Sequence, residues 1–368
     1  MRIAYLSGSS VPSKDANAVH VMRMCAAFAA AGHVVDLYAL PGSETSDPHA
    51  YYGTAGFTVH TVPRPAIKLL GDWIRARRIT RDLDDLVPDV VYSRDLRASL
   101  LATRGHAPVI YEVHALRRST RRRRLEGRLF TAPRLRAVVF ISAALRDDYL
   151  ALHPALRDGP DLIVAPDGAD AASVDGPSPA PDLGPGSHIG YVGHLYEGRG
   201  TGVLLDLAAR RPDLTIHLVG GRPEDVERWQ VRARSDNVIF HGHVPPSEIA
   251  SRLRSFDVLV APYQHQVVDA GGDDTSRWMS PLKVFEYMAS SVPMVASDVP
   301  VLHEVLEDGR NALLCKPDDV EAWASAIDRL LQDPELARRI AAGARRDLEE
   351  SFSWARRAEH VLEPVRSA

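Results

Sequence analysis

"ADAASVDGPSPAPDLGPGS", residues Ala169 to Ser187, interrupts an otherwise regular chain. Proline, glycine, serine and aspartate displace hydrophobic residues over this stretch, which is the composition of a linker and not of a packed element. "DLIVAPDG" precedes it, ending at Gly168, and "HIGYVG" follows from His188. Both are short apolar runs of the kind that form buried strands, so the linker separates two bodies of similar make-up.

Toward the N-terminus, "RIAYLS" from Arg2 reads as a buried strand. After a polar loop, "VHVMRMCAAFAAAG" reads as a helix with Val19, Met22, Cys25, Ala26 and Ala29 on one face and Gly32 as its stop. "HVVDLYAL", "DVVYS", "PVIYEVH" and "AVVFIS" continue the alternation of strand and helix. Beyond the linker, "TIHLVGG", "NVIFHG", "DVLVAPY" and "MVAS" form a second such series, and a helical tail breaks around Ser351 to Ser353. Short buried strands between helices make a parallel sheet covered on both faces. The predicted fold is therefore α/β, with a Rossmann-like domain over 1–170, a linker over 171–187, a second over 188–350 and a C-terminal helix over 351–368.

The whole composition agrees with this division. A chain of 368 residues exceeds the size at which single cores usually stop growing. With 45% hydrophobic and 25% charged residues and a net charge of −4, it has the make-up of a globular protein with no general attraction to nucleic acid. Four of the 44 basic residues are lysine (Lys14, Lys68, Lys283 and Lys316), so a lone arginine says little here. Cys25 and Cys315 are too few and too far apart for a disulfide framework or zinc site, which fits a reducing compartment. "MRIAYLSGSS" lacks a signal-peptide core, and no stretch approaches the roughly 20 apolar residues of a membrane span. A cytoplasmic protein is expected.

In doubly wound sheets, ligands bind outside the carboxyl ends of the strands, so chemistry is sought at strand-to-helix turns. In "GHLYEGRGTGVLL", Gly193, Arg199 and Gly200 precede a helix start, where backbone N–H groups and a guanidinium suit a phosphate. The same turn is also what a tight connection with a solvated arginine looks like. "SPLKVFEYMASSVP" places Ser280 and Pro281 as N-cap and first-turn residues. Helical spacing then puts Lys283, Glu286 and Ser290 on one face. Either Lys283 and Glu286 form a surface pair worth a few tenths of a kcal/mol, or Glu286 accepts ribose hydroxyls while Lys283 and Leu282 serve the phosphates. His114 ends the strand "VIYEVH", with Glu112 two residues earlier on the same face. A histidine so placed suits hydrogen bonding to a sugar, proton transfer or a structural role. His20 begins a helix after the first loop, where position alone favours a structural role.

Together these segments resemble the retaining, nucleotide-sugar-dependent glycosyltransferases of family 4. The resemblance rests on "SPLKVFEYMASSVPMVASD", "YVGHLYEGRGTGVLLDLA", "LVGG", "NVIFHGHVPPSEIASRLRSFDVLVAPY" and "IVAPDGAD". It spans nearly the whole chain and is densest from Gly190 to Leu314. It implies a GT-B arrangement: two Rossmann-like domains with a cleft between them, closing about the linker, and a C-terminal helix crossing back to the N-terminal domain.

Residue by residue, the resemblance puts Glu286 on the second Glu of the family's E-x7-E motif, which binds the nucleotide ribose. Arg199 falls on the Lys of G-R-L-x-x-x-K-G, which neutralises the diphosphate, and His194 on the Arg of that pattern. His114 falls on the histidine that approaches the donor sugar. The implied catalytic set is His114, Arg199 and Lys283. The donor set is Gly193, His194, Gly200, Val244, Ser280, Pro281, Leu282 and Glu286, and the acceptor side is Asn17, His20 and Arg94. Trp278 stands where the family has the first Glu of E-x7-E, with Asp273 and Asp274 nearby as substitutes. The glycine pair of the first loop is replaced by "SKDANAVH", in which Asn17 can tolerate a left-handed backbone, so that a turn there is feasible.

The reaction implied is metal-independent transfer of a sugar, of the hexosyl type, from a UDP- or GDP-sugar to a small-molecule or glycan acceptor. No cofactor and no nucleic-acid partner are expected. No carboxylate is positioned by the sequence as a nucleophile, so a front-face substitution is expected. A non-hydrolysing nucleotide-sugar epimerase and a weakly catalytic nucleotide-sugar-binding homologue are the alternatives. "RRSTRRRRLEGR", Arg117 to Arg128, is expected to be a solvated helix and not a membrane-surface patch, since helical spacing does not gather its seven arginines on one face.

Overall fold

A computed structural model describes residues 1–68, 70–116, 119–170, 180–268 and 274–366. The chain forms two compact units, Met1–Pro166 together with Trp354–Ala368, and Asp167–Ser353. The expected linker lies partly outside the described residues, which omit 171–179.

In the first unit, seven strands pair in parallel: β1 (Arg2–Val11), β2 (Val34–Pro41), β3 (Thr58–Thr61), β4 (Val90–Ser93), β5 (Val109–Val113), β6 (Leu135–Phe140) and β7 (Asp161–Val164). Their order is β3-β2-β1-β4-β5-β6-β7. The helices between them are α1 (Ala16–Ala30), α2 (Pro48–Tyr52), α3 (Gly71–Leu86), α4 (Leu96–Ala102), α5 (Thr120–Phe130) and α6 (Ala143–Leu152). β4 and β5 are buried throughout, as the unbroken apolar runs require. β3 is a short edge strand whose "TVHT" sequence lacks the apolar signal of the interior strands, so sequence reading passes over it.

The start of α1 departs from expectation. Asp15, with φ −80° and ψ 136°, supplies the extended N-cap backbone. The helix is already under way at Asn17, so the left-handed backbone that an asparagine tolerates is not used there. Alanines at 16 and 18 favour the helix strongly enough to extend it into the loop.

The second unit has six parallel strands: β8 (Ser187–Val192), β9 (Leu214–Val219), β10 (Val238–Gly242), β11 (Val258–Ala261), β12 (Met294–Ser297) and β13 (Leu313–Cys315). Their order is β10-β9-β8-β11-β12-β13. Its helices are α7 (Thr201–Arg210), α8 (Pro223–Arg232), α9 (Pro246–Leu253), α10 (Leu282–Ser290), α11 (Val320–Gln332) and α12 (Pro334–Asp347). One core cluster contains Phe285, Met288, Leu253 and Leu302, and the other Trp323, Trp229, Leu204 and Ile327. The sheet therefore buries apolar side chains on both faces, as an all-parallel sheet must.

After a π-helical turn over Leu348–Phe352, the last helix, α13 (Trp354–Arg366), belongs to the first unit and packs on α1 and β6. Strand order reverses between β1 and β4 in one sheet and between β8 and β11 in the other. Those reversals are where a doubly wound sheet opens a crevice for ligands. Among the described residues no helix is long and apolar enough to cross a membrane.

Three histidines cross the second sheet toward its β10 edge. His188 Nδ1 lies 3.0 Å from His217 Nε2, and His217 Nδ1 lies 2.9 Å from His241 Nε2. His188 Nε2–H donates to the Gly184 carbonyl at 3.2 Å. When all three rings are neutral, each is the Nε2–H tautomer, donating at one nitrogen and accepting at the other. Burial, then His241 and His188, brings the pKa of His217 down to about 4.

Candidate functional site

In the second unit the site gathers at the ends of β8, β9 and β11. β8 leads into Gly193, whose φ of 148° suits glycine alone. A Cβ there would lie 3.0 Å from Lys283 Cε and Nζ, so the glycine gives the lysine its room. Gly200 caps α7 in the left-handed conformation, φ 86°, and a Cβ there would overlap the Pro262 carbonyl oxygen. These glycines bring the start of α7 close against the loop after β11.

Lys283 is no surface residue. It is 7% exposed, and its Nζ sits 3.7 Å from the centre of the Tyr191 ring and 4.8 Å from that of Tyr263. Among the described residues Nζ has no hydrogen-bond acceptor, and neither does Arg199 Nε. The Arg199 guanidinium lies over the other part of this pair of rings, 5.4 Å from the Tyr263 centre. Burial, then Arg199, pulls the Lys283 pKa well below its usual value, with Glu286 opposing.

His194 stacks on Tyr196 with ring centres 4.8 Å apart, and Arg222 covers the same tyrosine at 5.6 Å. Burial, followed by Arg199, Lys283 and Arg222, lowers the His194 pKa to about 4. His194 is therefore a neutral group among three cations. Arg222, the N-cap residue of α8, was not anticipated. Its signal was the second glycine-containing strand-to-helix turn, "VGGRPED", directly beside "VGHLYEG" in the sheet.

Ser280 does not cap α10. Pro281 is the N-cap residue, and the Ser280 hydroxyl instead accepts the Asp167 N–H at 2.7 Å. The proline's extended backbone starts the helix at Leu282, leaving the hydroxyl to fix the beginning of this unit. Glu286 is half-buried one turn along. Val244 lies in the apolar core beside Leu253 and Phe256. Asp274 is committed to its own loop, accepting from the N–H groups of Val267 at 3.2 Å and Ser276 at 2.9 Å. Asp273 lies outside the described residues. Trp278 is half-buried, its backbone N–H donating to Thr275.

In the first unit, His20, Arg94 and His114 converge on Glu112, which is 2% exposed. His20 Nε2 stands 2.9 Å from Glu112 Oε1, His114 Nε2 makes a short hydrogen bond to that same oxygen, and Arg94 Nε is 4.0 Å from it. The other oxygen, Oε2, accepts from Tyr92 and from Arg357 of α13 at 3.2 Å. Arg94 also donates to the Asn17 carbonyl at 3.3 Å. Burial alone would raise the Glu112 pKa, but Arg357, then His20 and His114, outweigh it and hold the carboxyl well below its usual range. Burial, then Arg94, lowers the His114 pKa to about 4.

His20, Glu112 and His114 offer three ligand atoms within 4.8 Å of one another, the donor types of a zinc site. Two guanidinium groups flank the carboxylate, however, and a cation there would meet them directly. On α5, Arg121, Arg123, Arg124 and Arg128 are exposed, while Arg122 is bound to buried Glu126 at 2.7 Å. Arg117 and Arg118 lie outside the described residues.

The sequence profile described as Glycosyltransferase Family 4 matches residues 18–171, and that described as Glycosyl transferases group 1 matches residues 186–333. The alpha-maltose-1-phosphate synthase of Mycolicibacterium smegmatis is 30% identical over 258 residues, 62% of this chain and 62% of that one. A phosphatidyl-myo-inositol mannosyltransferase of the same organism is 34% identical over 185 residues, 48% of this chain and 45% of that one. The chain thus spans less than two thirds of the length of these curated relatives. The solved structure of Anabaena Alr3699/HepE in complex with UDP and glucose superposes with a TM-score of 0.75 at 16% identity, covering 100% of both chains.

Proposed function

Because the chain belongs to the family 4 glycosyltransferases and carries their GT-B fold, we propose that it moves a sugar, with retention of configuration and without a metal, from a nucleoside diphosphate sugar to a small-molecule or glycan acceptor. One observation carries this reading. Among the described residues two buried nitrogens of basic side chains, Lys283 Nζ and Arg199 Nε, find no acceptor, and they stand at the starts of α10 and α7. Buried charge is costly unless paired, and a diphosphate supplies the missing acceptors together with negative charge for the helix N-termini.

In this reading Glu286 accepts the ribose hydroxyls. Leu282, Pro281 and the glycine turns at Gly193 and Gly200 let the backbone approach the phosphates. Arg222 joins Arg199 and Lys283 in offsetting the anion, and His194 contributes a neutral hydrogen-bonding ring. His114 serves the donor sugar, and Asn17, His20 and Arg94 serve the acceptor. The bond from the anomeric carbon to the phosphate oxygen breaks while the acceptor atom bonds to that carbon on the same face. The acceptor's proton passes to the departing phosphate oxygen, whose charge Arg199 and Lys283 stabilise. Trp278 gives the sugar an apolar neighbour in place of a carboxylate, so donor choice differs from that of relatives with two glutamates.

The test is nucleotide release from a panel of UDP-, GDP- and TDP-sugars. Each is run with and without acceptors that include a sugar phosphate and an inositol lipid, the compound classes that appear in the names of the relatives above. Acceptor-dependent release supports transfer. Interconversion of nucleotide sugars without an acceptor would identify an epimerase, and binding with neither would identify a binding homologue. Glu286→Ala is expected to abolish nucleotide binding with the fold intact, and unchanged affinity by calorimetry removes the ribose role.

A further inference from the structure

The carboxylate of Glu112 accepts from His114, faces the ring of His20 at 2.9 Å, and is held from behind by a residue almost at the end of the chain. We propose that Glu112 is a positioning residue for the transfer reaction: with Arg357 of α13 behind it, it fixes His114 as the Nε2–H tautomer and so places the ring's lone pair on Nδ1. This inference rests on the transferase reading and adds to it the atom of His114 that meets the substrate, together with a role for the C-terminal helix.

The geometry leaves the carboxylate little freedom. Oε2 is occupied by Tyr92 and Arg357. Oε1 faces His20 Nε2 and His114 Nε2, and the two rings stand edge to face with centres 4.8 Å apart. Arg357 is itself 4% exposed and donates to the carbonyl oxygens of Pro166 at 2.8 Å and Ala165 at 3.2 Å, which aims its remaining nitrogen at Glu112. The groups around the pair are therefore the guanidinium groups of Arg94 at the end of β4 and Arg357 on α13, the imidazole of His20 on α1, and the hydroxyls of Tyr92 on β4 and Tyr5 on β1.

An ionised carboxylate can only accept, so whatever nitrogen faces it must carry hydrogen. For His114 that nitrogen is Nε2. A neutral ring donating there has its lone pair on Nδ1, ready to accept a hydrogen bond from a hydroxyl. The opposite tautomer would set a lone pair against the carboxylate. His114 is 24% exposed at its side chain whereas Glu112 is fully enclosed, so solvent-side chemistry falls to the imidazole and the carboxylate acts through it.

The tautomer is read directly from imidazole nitrogen shifts in long-range proton–nitrogen spectra of the full-length protein at pH 7, assigned with His114→Gln. The expected result is a neutral Nε2–H ring for His114. A neutral Nδ1–H ring, which a metal ion bound at Nε2 would also demand, overturns the proposal, as does an imidazolium. The Glu112→Gln substitution preserves shape but offers an amide that donates as well as accepts. It is expected to mix the tautomers and to lower kcat at least about tenfold, with nucleotide affinity unchanged. Glu112→Asp, which keeps the charge, is expected to restore part of kcat. Wild-type turnover in Glu112→Gln, or equal losses of kcat and nucleotide affinity, would refute positioning. Absence of turnover in the wild-type protein counts against the transferase reading itself, while the tautomer spectra test the arrangement independently.

Discussion

Lys283 points its Nζ at the face of Tyr191 from 3.7 Å, with no hydrogen-bond acceptor among the described residues. An aromatic face returns about 0.5–2 kcal/mol to a cation, well short of what full desolvation removes. A lysine kept in this position costs stability and is useful only when an anion arrives. Lys283→Met keeps length and apolar packing while deleting the charge. We expect the ligand-free protein to melt at a higher temperature and to bind UDP at least about tenfold more weakly, since charge-assisted hydrogen bonds are worth about 1.5–3 kcal/mol each. Thermal melts with and without UDP check both signs. If the variant melts lower and binds normally, the lysine is a packing residue.

The same burial makes nucleotide binding a proton-coupled event. Free Lys283 holds its proton weakly because of burial and Arg199. A diphosphate beside it restores the preference for the charged form. Across the pH range between the pKa of free Lys283 and that of the nucleotide-bound lysine, binding of UDP is therefore expected to take up protons, and affinity is expected to fall as pH rises through it. Calorimetry in buffers of different ionisation enthalpy measures the uptake. It should shrink in Lys283→Met, and proton release in the wild type contradicts the assignment.

Much of this was legible in the sequence because the signals were local. Alternating apolar runs announce parallel strands, and the glycines at 193 and 200 announce a close strand-to-helix turn. Helical spacing placed Lys283 and Glu286 on one face, but periodicity alone cannot say that Lys283 faces two tyrosines from β8 and the loop after β11. Arg222 and Arg357 were hidden for a different reason. In an arginine-rich chain neither stands out, and each gains meaning only when the fold carries it far along the sequence, Arg357 onto a carboxylate 245 positions away. Ser280 differs from its N-cap reading because a tertiary contact overrides local capping chemistry.

The histidine row across β8, β9 and β10 gives stability a definite pH dependence. An unfolded histidine takes up its proton near about pH 6.5, whereas folded His217 does so only near about 4. Between those values the unfolded chain binds more protons, so stability falls as pH drops from about 6.5 toward about 4 and levels off below. His114 and His194, also lowered to about 4 in the fold, act with the same sign. His217→Gln breaks the row and should lower stability at pH 7, yet lose less between pH 7 and pH 5 than the wild type does. Urea midpoints at the two pH values decide this, and an equal loss in both proteins would assign the titration elsewhere.

Arg357 supplies a test of how firmly α13 is tied to its unit. Its guanidinium and the Glu112 carboxylate are 3% and 0% exposed at the side chain and 3.2 Å apart. Removing one partner of a buried pair typically costs about 3–5 kcal/mol, because the other charge is left uncompensated. Arg357→Met should therefore destabilise the protein by about that amount. The double variant Arg357→Met with Glu112→Gln should recover part of the loss, since the stranded charge is gone while the Tyr92 hydrogen bond can persist. Denaturant unfolding of the two single variants and the double gives the coupling energy. Additive losses would mean that Arg94 and the histidines suffice to hold Glu112 ionised, and that α13 is attached by its apolar face alone.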